Sequence, residues 1–205
     1  MIISFLNQKG GVGKTTLMRN IVGLEKASKG TVTLDGRDIT KTPARKRAQS
    51  GLALVPQGRM IFPRLSVKEN LEVGLSARTD GRRSIPQEIY DLFPVLSDMG
   101  ARQGGNLSGG QQQQLAIGRA LVGEPRVLLL DEPTEGIQPN VIQAIGQVLR
   151  RLVSEKEMTV VLVEQYVDFI KEFGDHFYIM NRGRVVADGD TPQLSEAIVR
   201  QHLSV

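Results

Sequence analysis

Three short segments carry residue types that could act together on a phosphate group. The first is Lys9-Gly10-Gly11-Val12-Gly13-Lys14-Thr15-Thr16. Gly10, Gly11 and Gly13 let the backbone turn tightly enough for several N–H groups to face one anion. A helix opening near Lys14 adds the positive end of its dipole. Lys14 is expected to reach the β- and γ-phosphates of a nucleotide, and Thr15 to hold Mg²⁺ through its hydroxyl. The second segment is an apolar run closed by Asp131-Glu132. A carboxylate beside a triphosphate holds Mg²⁺, often through water. A second one beside it can orient and deprotonate the attacking water, which is worth roughly 10²–10⁴ in rate. Asp131 is therefore expected at the metal and Glu132 as general base. The third segment is Leu107-Ser108-Gly109-Gly110-Gln111. Its glycines free backbone donors, and the helix after it points an N-terminus outward, which makes a second anion site.

These segments need elements to position them. An apolar run at residues 2–6 reads as a buried strand leading into the glycine-rich loop, followed by a helix over about residues 14–22. Residues 31–34, 52–55, 127–130 and 159–163 read as further strands, the last two apolar enough to be buried on both faces. Residues 43–49 form a basic helical turn. Ser66 and Glu69 form a capping box that opens a helix to about residue 75. Helices are also expected over about residues 111–122 and 139–152, the latter with Pro139 at its start. The run of four glutamines from Gln111 is expected to be the exposed start of its helix. Residues 176–180 and 184–187 flank Asn181-Arg182-Gly183 as a hairpin, and Thr191-Pro192 opens a last helix. Strands alternating with helices argue for an α/β fold with a mainly parallel sheet. Residues 59–122 contain helices and no convincing strand, so they read as a helical insertion within one domain spanning residues 1–205.

Composition limits the partners. The 205 residues contain no Cys and no Trp, and only 4% are aromatic. Disulfides and cysteine metal ligands are excluded, and stacking platforms for nucleic acid are few. The net charge of +4 suits a phosphate pocket or an anionic membrane nearby but argues for no nucleic acid. No apolar stretch approaches the roughly 18 residues that span a bilayer, and residues 1–6 lack a basic leader. A cytoplasmic protein is expected, with any membrane-spanning helices supplied by a partner.

The three segments together resemble the ATP-binding subunits of ABC transporters, in which Leu107–Gln111 matches the family signature. The wording from about residue 17 to residue 200 is closest to importers of branched-chain amino acids and urea (the LivF/UrtE type), with the urea branch the closer fit. It shows in Val55-Pro56-Gln57-Gly58-Arg59, in Glu132-Pro133-Thr134-Glu135-Gly136 and in Val163-Glu164-Gln165-Tyr166. The resemblance implies a P-loop NTPase fold and ATP hydrolysis with Mg²⁺. It also implies a homodimer, or a pseudo-dimer with a related subunit, that sandwiches two nucleotides head to tail. Ser108, Gly110 and Gln111 would then serve the partner's ATP. Gln57 stands where the family senses Mg²⁺ and links the site to integral membrane permease subunits, through a groove near residues 57–65. Gln165 stands where most of the family has a γ-phosphate histidine, and Gln138 replaces a usual aspartate.

Residues 7–16 differ from that pattern, because Gln8-Lys9 stands where the common phosphate loop has its first glycine. They resemble the loop of partitioning ATPases (the ParA/MinD type), in which the matching lysine reaches the partner's nucleotide. Lys9 is then either such a residue or a solvated, phosphate-facing cation. The family also carries roughly thirty residues, a size ordinary for one such element, ahead of the phosphate-loop strand. They build an antiparallel β-subdomain with an adenine-stacking aromatic. Here that subdomain is expected to be largely missing, as in a chimeric or truncated gene, and the strand at residues 31–34 to be left as an unpaired edge. The alternatives to an importer ATPase are a partitioning ATPase and a nucleotide-binding remnant without transport activity.

Overall fold

The computed structural model describes residues 1–7 and 13–203, without the side chains of Asn7 and Lys14. The strands are β1 (Ile2–Asn7), β2 (Thr33–Leu34), β3 (Arg37–Asp38), β4 (Leu52–Val55), β5 (Val127–Asp131), β6 (Thr159–Glu164), β7 (His176–Asn181) and β8 (Arg184–Asp190). The helices are α1 (Lys14–Val22), α2 (Ala44–Gln49), α3 (Val67–Gly74), α4 (Gln87–Leu92), α5 (Pro94–Asp98), α6 (Gly109–Leu121), α7 (Pro139–Lys156), α8 (Val167–Phe173) and α9 (Glu196–His202).

The apolar runs assemble into one six-stranded sheet of order β4-β5-β6-β1-β7-β8. Five strands are parallel, with Leu52 opposite Val127, Val127 opposite Thr159, Ile2 opposite Val160 and Ile3 opposite His176. β8 returns antiparallel to β7. Its turn places both Arg182 and Gly183 at positive φ, the geometry that suits a tight hairpin. Parallel strands need both faces covered, and β5 shows how this is met. Leu128 and Leu130 join a core with Leu115 of α6 and Ile145 and Leu149 of α7, whereas Leu129 joins Met18 and Val22 of α1 on the opposite face. A third cluster packs Leu6, Phe177 and Ile179 under Ile170 of α8, with Leu194 and Leu203.

The expectation of an unpaired edge at residues 31–34 is corrected. β2 pairs with β3 as a two-residue hairpin, Thr33 opposite Asp38 and Leu34 opposite Arg37. Asp35 and Gly36 both sit at positive φ and close the turn locally. The glutamine run is corrected as well. Gln113 is buried, and Gln111, Gln112 and Gln114 are half-buried, because α6 is enclosed by α3, α5 and α7. The last helix begins at Glu196, after a 3₁₀ turn at Thr191–Gln193.

The close approach of α8 to α7 depends on a glycine. A Cβ on Gly146 would lie 2.3 Å from Cε2 of the buried Phe173. Gly146→Ala is expected to destabilise the protein by roughly 1–3 kcal/mol through overpacking, although alanine is the better helix former by roughly 1 kcal/mol. Thermal unfolding would register a fall of roughly 2–4 °C per kcal/mol.

β1 is anchored at its start by Asp175, whose carboxylate accepts Ile2 N at 2.7 Å and Arg150 Nη1 at 2.6 Å. Partial burial disfavours the charge, but the Ile2 and Arg150 hydrogen bonds outweigh it and hold the carboxyl below its ordinary value of 3.8. A depressed carboxyl stabilises the fold above its unfolded pKa and loses that contribution as pH falls through the folded value. Asp175→Asn is therefore expected to be less stable than the wild type at neutral pH. Urea denaturation at a series of pH values should show the gap closing once the pH is taken below 3.8.

Candidate active site

The C-terminal ends of the parallel strands gather the chemistry, which is where open α/β sheets bind their ligands. β1 leads to the glycine-rich loop, of which Lys9, Gly10, Gly11 and Val12 lie outside the described residues, as does the Lys14 side chain. Gly13, at φ 130°, turns the chain into α1 in a conformation that L side chains rarely adopt. Thr15 lies in the first turn of α1, and its Oγ1 donates to Asp131 Oδ2 at 2.8 Å. Asp131 closes β5 and is only 4% exposed. Thr16 is exposed, and its carbonyl accepts Asn20 Nδ2 at 2.8 Å.

Glu132 follows at φ 49°, an unfavourable backbone angle for a residue without glycine's freedom. Its N–H donates to Val163 O at 2.8 Å, which ties the turn to the end of β6. Two amides then hold its carboxylate. Gln57 Nε2 donates to Oε2 at 3.0 Å, and Gln165 Nε2 donates to Oε1 at 2.6 Å. The residues that were paired on sequence with catalysis thus meet, although 75 and 33 positions separate them from Glu132. The same Gln57 amide also donates to Glu135 Oε2 at 3.1 Å.

The segment after Gln57 runs through three successive positive φ angles, at Gly58, Arg59 and Met60. Such a run persists only where the surroundings over-determine it. Arg59 Nη2 donates to Glu135 O at 3.0 Å. Arg119 of α6 donates to Met60 O at 2.8 Å and lies over the Phe62 ring, 5.3 Å from its centroid. Burial lowers the pKa of that guanidinium. Asn70 of α3, fully buried, accepts Phe62 N at 2.8 Å and donates to the carbonyls of Phe62, Leu65 and Ser66. Met60 and Phe62 are left exposed on the outer side of this loop.

The signature begins α6. Ser108 is its N-cap, accepting Gln111 N at 3.3 Å, while Ser108 N donates to Gln111 Oε1 at 2.9 Å. This reciprocal capping box satisfies two backbone donors at the helix start. Gly110 is buried against α7, where a Cβ would come within 3.0 Å of Val141 Cγ1. A Cβ on Gly109 would lie 3.3 Å from the Arg59 guanidinium. Arg59 therefore stands between the signature start and the segment after Glu132.

Sequence reasoning did not single out Glu135, Asn70, Arg119 or Arg47. Asn70 had a readable signal, because a residue three positions after the apolar Val67 shares its inward face on a helix started by a capping box. Arg47 is 3% exposed and donates to four carbonyls, those of Asn20, Ile21, Thr40 and Thr42, at 2.7–2.9 Å. It thereby closes the C-terminal end of α1, the helix whose other end carries Thr15. His176, given no role on sequence, lies 3.1 Å from Asp190 Oδ1 through Nδ1.

A mainly parallel sheet with a hydroxyl and two carboxylates at its C-terminal end, beside a helix fed by a glycine-rich loop, defines a P-loop nucleoside triphosphatase. The ABC transporter family profile matches residues 9–135, more than half of the chain, and takes in the phosphate loop, Gln57, the signature and Glu132. The chain belongs to the ABC transporter family, as an ATP-binding cassette that hydrolyses ATP. It is 37% identical over 177 residues to the high-affinity branched-chain amino acid transport ATP-binding protein BraG of Pseudomonas aeruginosa, covering 86% of this chain and 76% of BraG. It is 37% identical over 189 residues to the probable branched-chain amino acid transport ATP-binding protein LivF of Archaeoglobus fulgidus, covering 91% of this chain and 79% of LivF. Among solved structures, a dimeric post-hydrolysis ATP-binding cassette bound to ADP and Pi superimposes with a TM-score of 0.83 at 26% identity, over 93% of this chain and 85% of that one. A nucleotide-free cassette superimposes with a TM-score of 0.81, also at 26% identity, over 99% and 84% of the two chains. The importer reading is thus favoured over the partitioning one. Among the described residues, no helix is long and apolar enough to cross a membrane.

Proposed function

We propose that the chain drives import of branched-chain amino acids, closing on ATP as a head-to-tail dimer beneath integral membrane permease subunits on the cytoplasmic side of the membrane. The observation that carries this reading is the Glu132 carboxylate held on both oxygens by Gln57 and Gln165, next to the Thr15–Asp131 pair. Names of the relatives above favour branched-chain amino acids over urea, and the dimeric solved cassette supports the sandwich.

In this reading Gly10, Gly11, Val12, Gly13, Lys14 and Thr16 surround the phosphates. Lys9 faces either the phosphates of its own chain or the partner's nucleotide. Mg²⁺ fits Thr15 and Asp131, because a hydroxyl and a carboxylate 2.8 Å apart are two hard oxygen donors. Mg²⁺ takes few such donors from protein and completes its shell with phosphate and water. Its charge would neutralise the triphosphate. Glu132 then orients and deprotonates the attacking water, and Gln57 reports the state of the site to the loop carrying Met60 and Phe62. Ser108, Gly110 and Gln111 serve the partner's nucleotide, with the start of α6 supplying the positive helix end. The test is ATP-dependent uptake of labelled leucine and of labelled urea into vesicles that contain the chain with its co-purified permease. Uptake of leucine alone supports the reading; uptake of urea alone, or of neither, overturns it.

A further inference from the structure

Glu164 ends β6 and is 2% exposed. Its two oxygens serve different loops. Oε2 accepts Gln165 N at 2.9 Å and Tyr166 N at 3.2 Å, the donors that precede α8. Oε1 accepts Thr134 N at 3.0 Å and Thr134 Oγ1 at 2.7 Å, from a residue 30 positions away. A cap for α8 requires only the first pair. The second pair joins the segment after β5 to the segment after β6, and these two segments carry Glu132 and Gln165. The side chains of that pair meet at 2.6 Å. A buried carboxylate is costly unless its oxygens are satisfied, and here four donors are committed to it. Burial still pushes the carboxyl above its ordinary range, with the hydrogen bonds from Thr134, Tyr166 and Gln165 opposing the rise.

We infer that Glu164 is a positioning residue for ATP hydrolysis, locking the loops after β5 and β6 together so that the Gln165 amide stays on the Glu132 carboxylate. The inference rests on Glu132 as base and Gln165 as its partner. Glu164→Gln keeps the size of the side chain but turns one acceptor into a donor, set against N–H groups already aimed at it. Thr134→Val removes one hydroxyl donor and leaves both the Glu164 charge and the α8 cap in place.

The test is steady-state Mg·ATP hydrolysis by the wild type, Glu164→Gln, Thr134→Val, Gln165→Ala, Glu132→Gln and the two double variants with Gln165→Ala. A misplaced catalytic pair loses turnover rather than binding, so kcat should fall roughly 10-fold or more in Glu164→Gln. The KM for ATP should stay within about twofold, because uniform binding is untouched. In the Gln165→Ala background the same change should cost little more, since residues acting through one contact are not additive. Thr134→Val, which keeps the folded core, should show the same coupling at smaller size. Full multiplicative losses in the double variants would overturn the inference while leaving Glu132 as base. Wild-type turnover in Glu132→Gln would overturn both.

Discussion

Glu132→Gln is expected to reduce ATP turnover by roughly 10²–10⁴-fold, the range of a general base, while ATP still binds. Without the step that breaks the nucleotide, the closed dimer should accumulate. Light scattering on the purified variant would show a shift from monomer to dimer on adding Mg·ATP, and reversal once nucleotide is removed. The local geometry refines the expectation. Gln57 and Gln165 each donate an amide to a separate Glu132 oxygen, and a glutamine at position 132 offers only one oxygen. One of the two contacts must be lost or must turn its amide over. The dimer of the variant should therefore be long-lived but loosened on one side of the base. A variant that remains monomeric at saturating Mg·ATP would remove the support for the head-to-tail sandwich in this chain.

Arg47→Ala carries the largest expected effect on stability. The guanidinium is buried and donates to four main-chain carbonyls from α1 and from the segment before α2. Hydrogen bonds from a charged group contribute roughly 1.5–3 kcal/mol each and do not add independently, so a loss of roughly 2–4 kcal/mol is expected. Thermal unfolding should fall by roughly 5–15 °C at 2–4 °C per kcal/mol. Lysine should not restore the loss, because one ammonium cannot reproduce the planar fork. Gly23 supports this reading. It ends α1 at φ 80°, and a Cβ there would lie 2.9 Å from Arg47 Nε. An Arg47→Lys variant as stable as the wild type would show that the carbonyls do not depend on the fork.

Much of this molecule is written in local sequence. Helix α1, the continuous apolar strand β5, the capping box at Ser66, and the Thr15 and Asp131-Glu132 positions could all be read from composition and spacing within a few residues. Contacts that cross the sheet could not. Gln57 and Gln165 were singled out by resemblance, but only the fold brings their amides to opposite oxygens of one carboxylate. Glu135 and Arg47 carry no local mark of their distant partners, Gln57 for the first and the end of α1 for the second. The two corrections differ in kind. The pairing of β2 with β3 follows from Asp35-Gly36, a local hairpin signal, whereas the burial of Gln113 depends on the helices that enclose α6.

The place of β1 in the sheet has a consequence for how the chain is made. β1 lies between β6 and β7, with Ile2 opposite Val160 and Ile3 opposite His176. A ribosome adding roughly 5–20 residues per second exposes β1 on the order of ten to thirty seconds before either neighbour exists. Its alternate Ile2, Ser4 and Leu6 are all buried once the sheet closes. Until then Ile2 and Leu6 offer apolar surface on an unpaired strand to any chaperone or fellow nascent chain in reach. The central strand, and with it the loop that would grip the nucleotide, is thus among the last parts of the molecule to become native during synthesis.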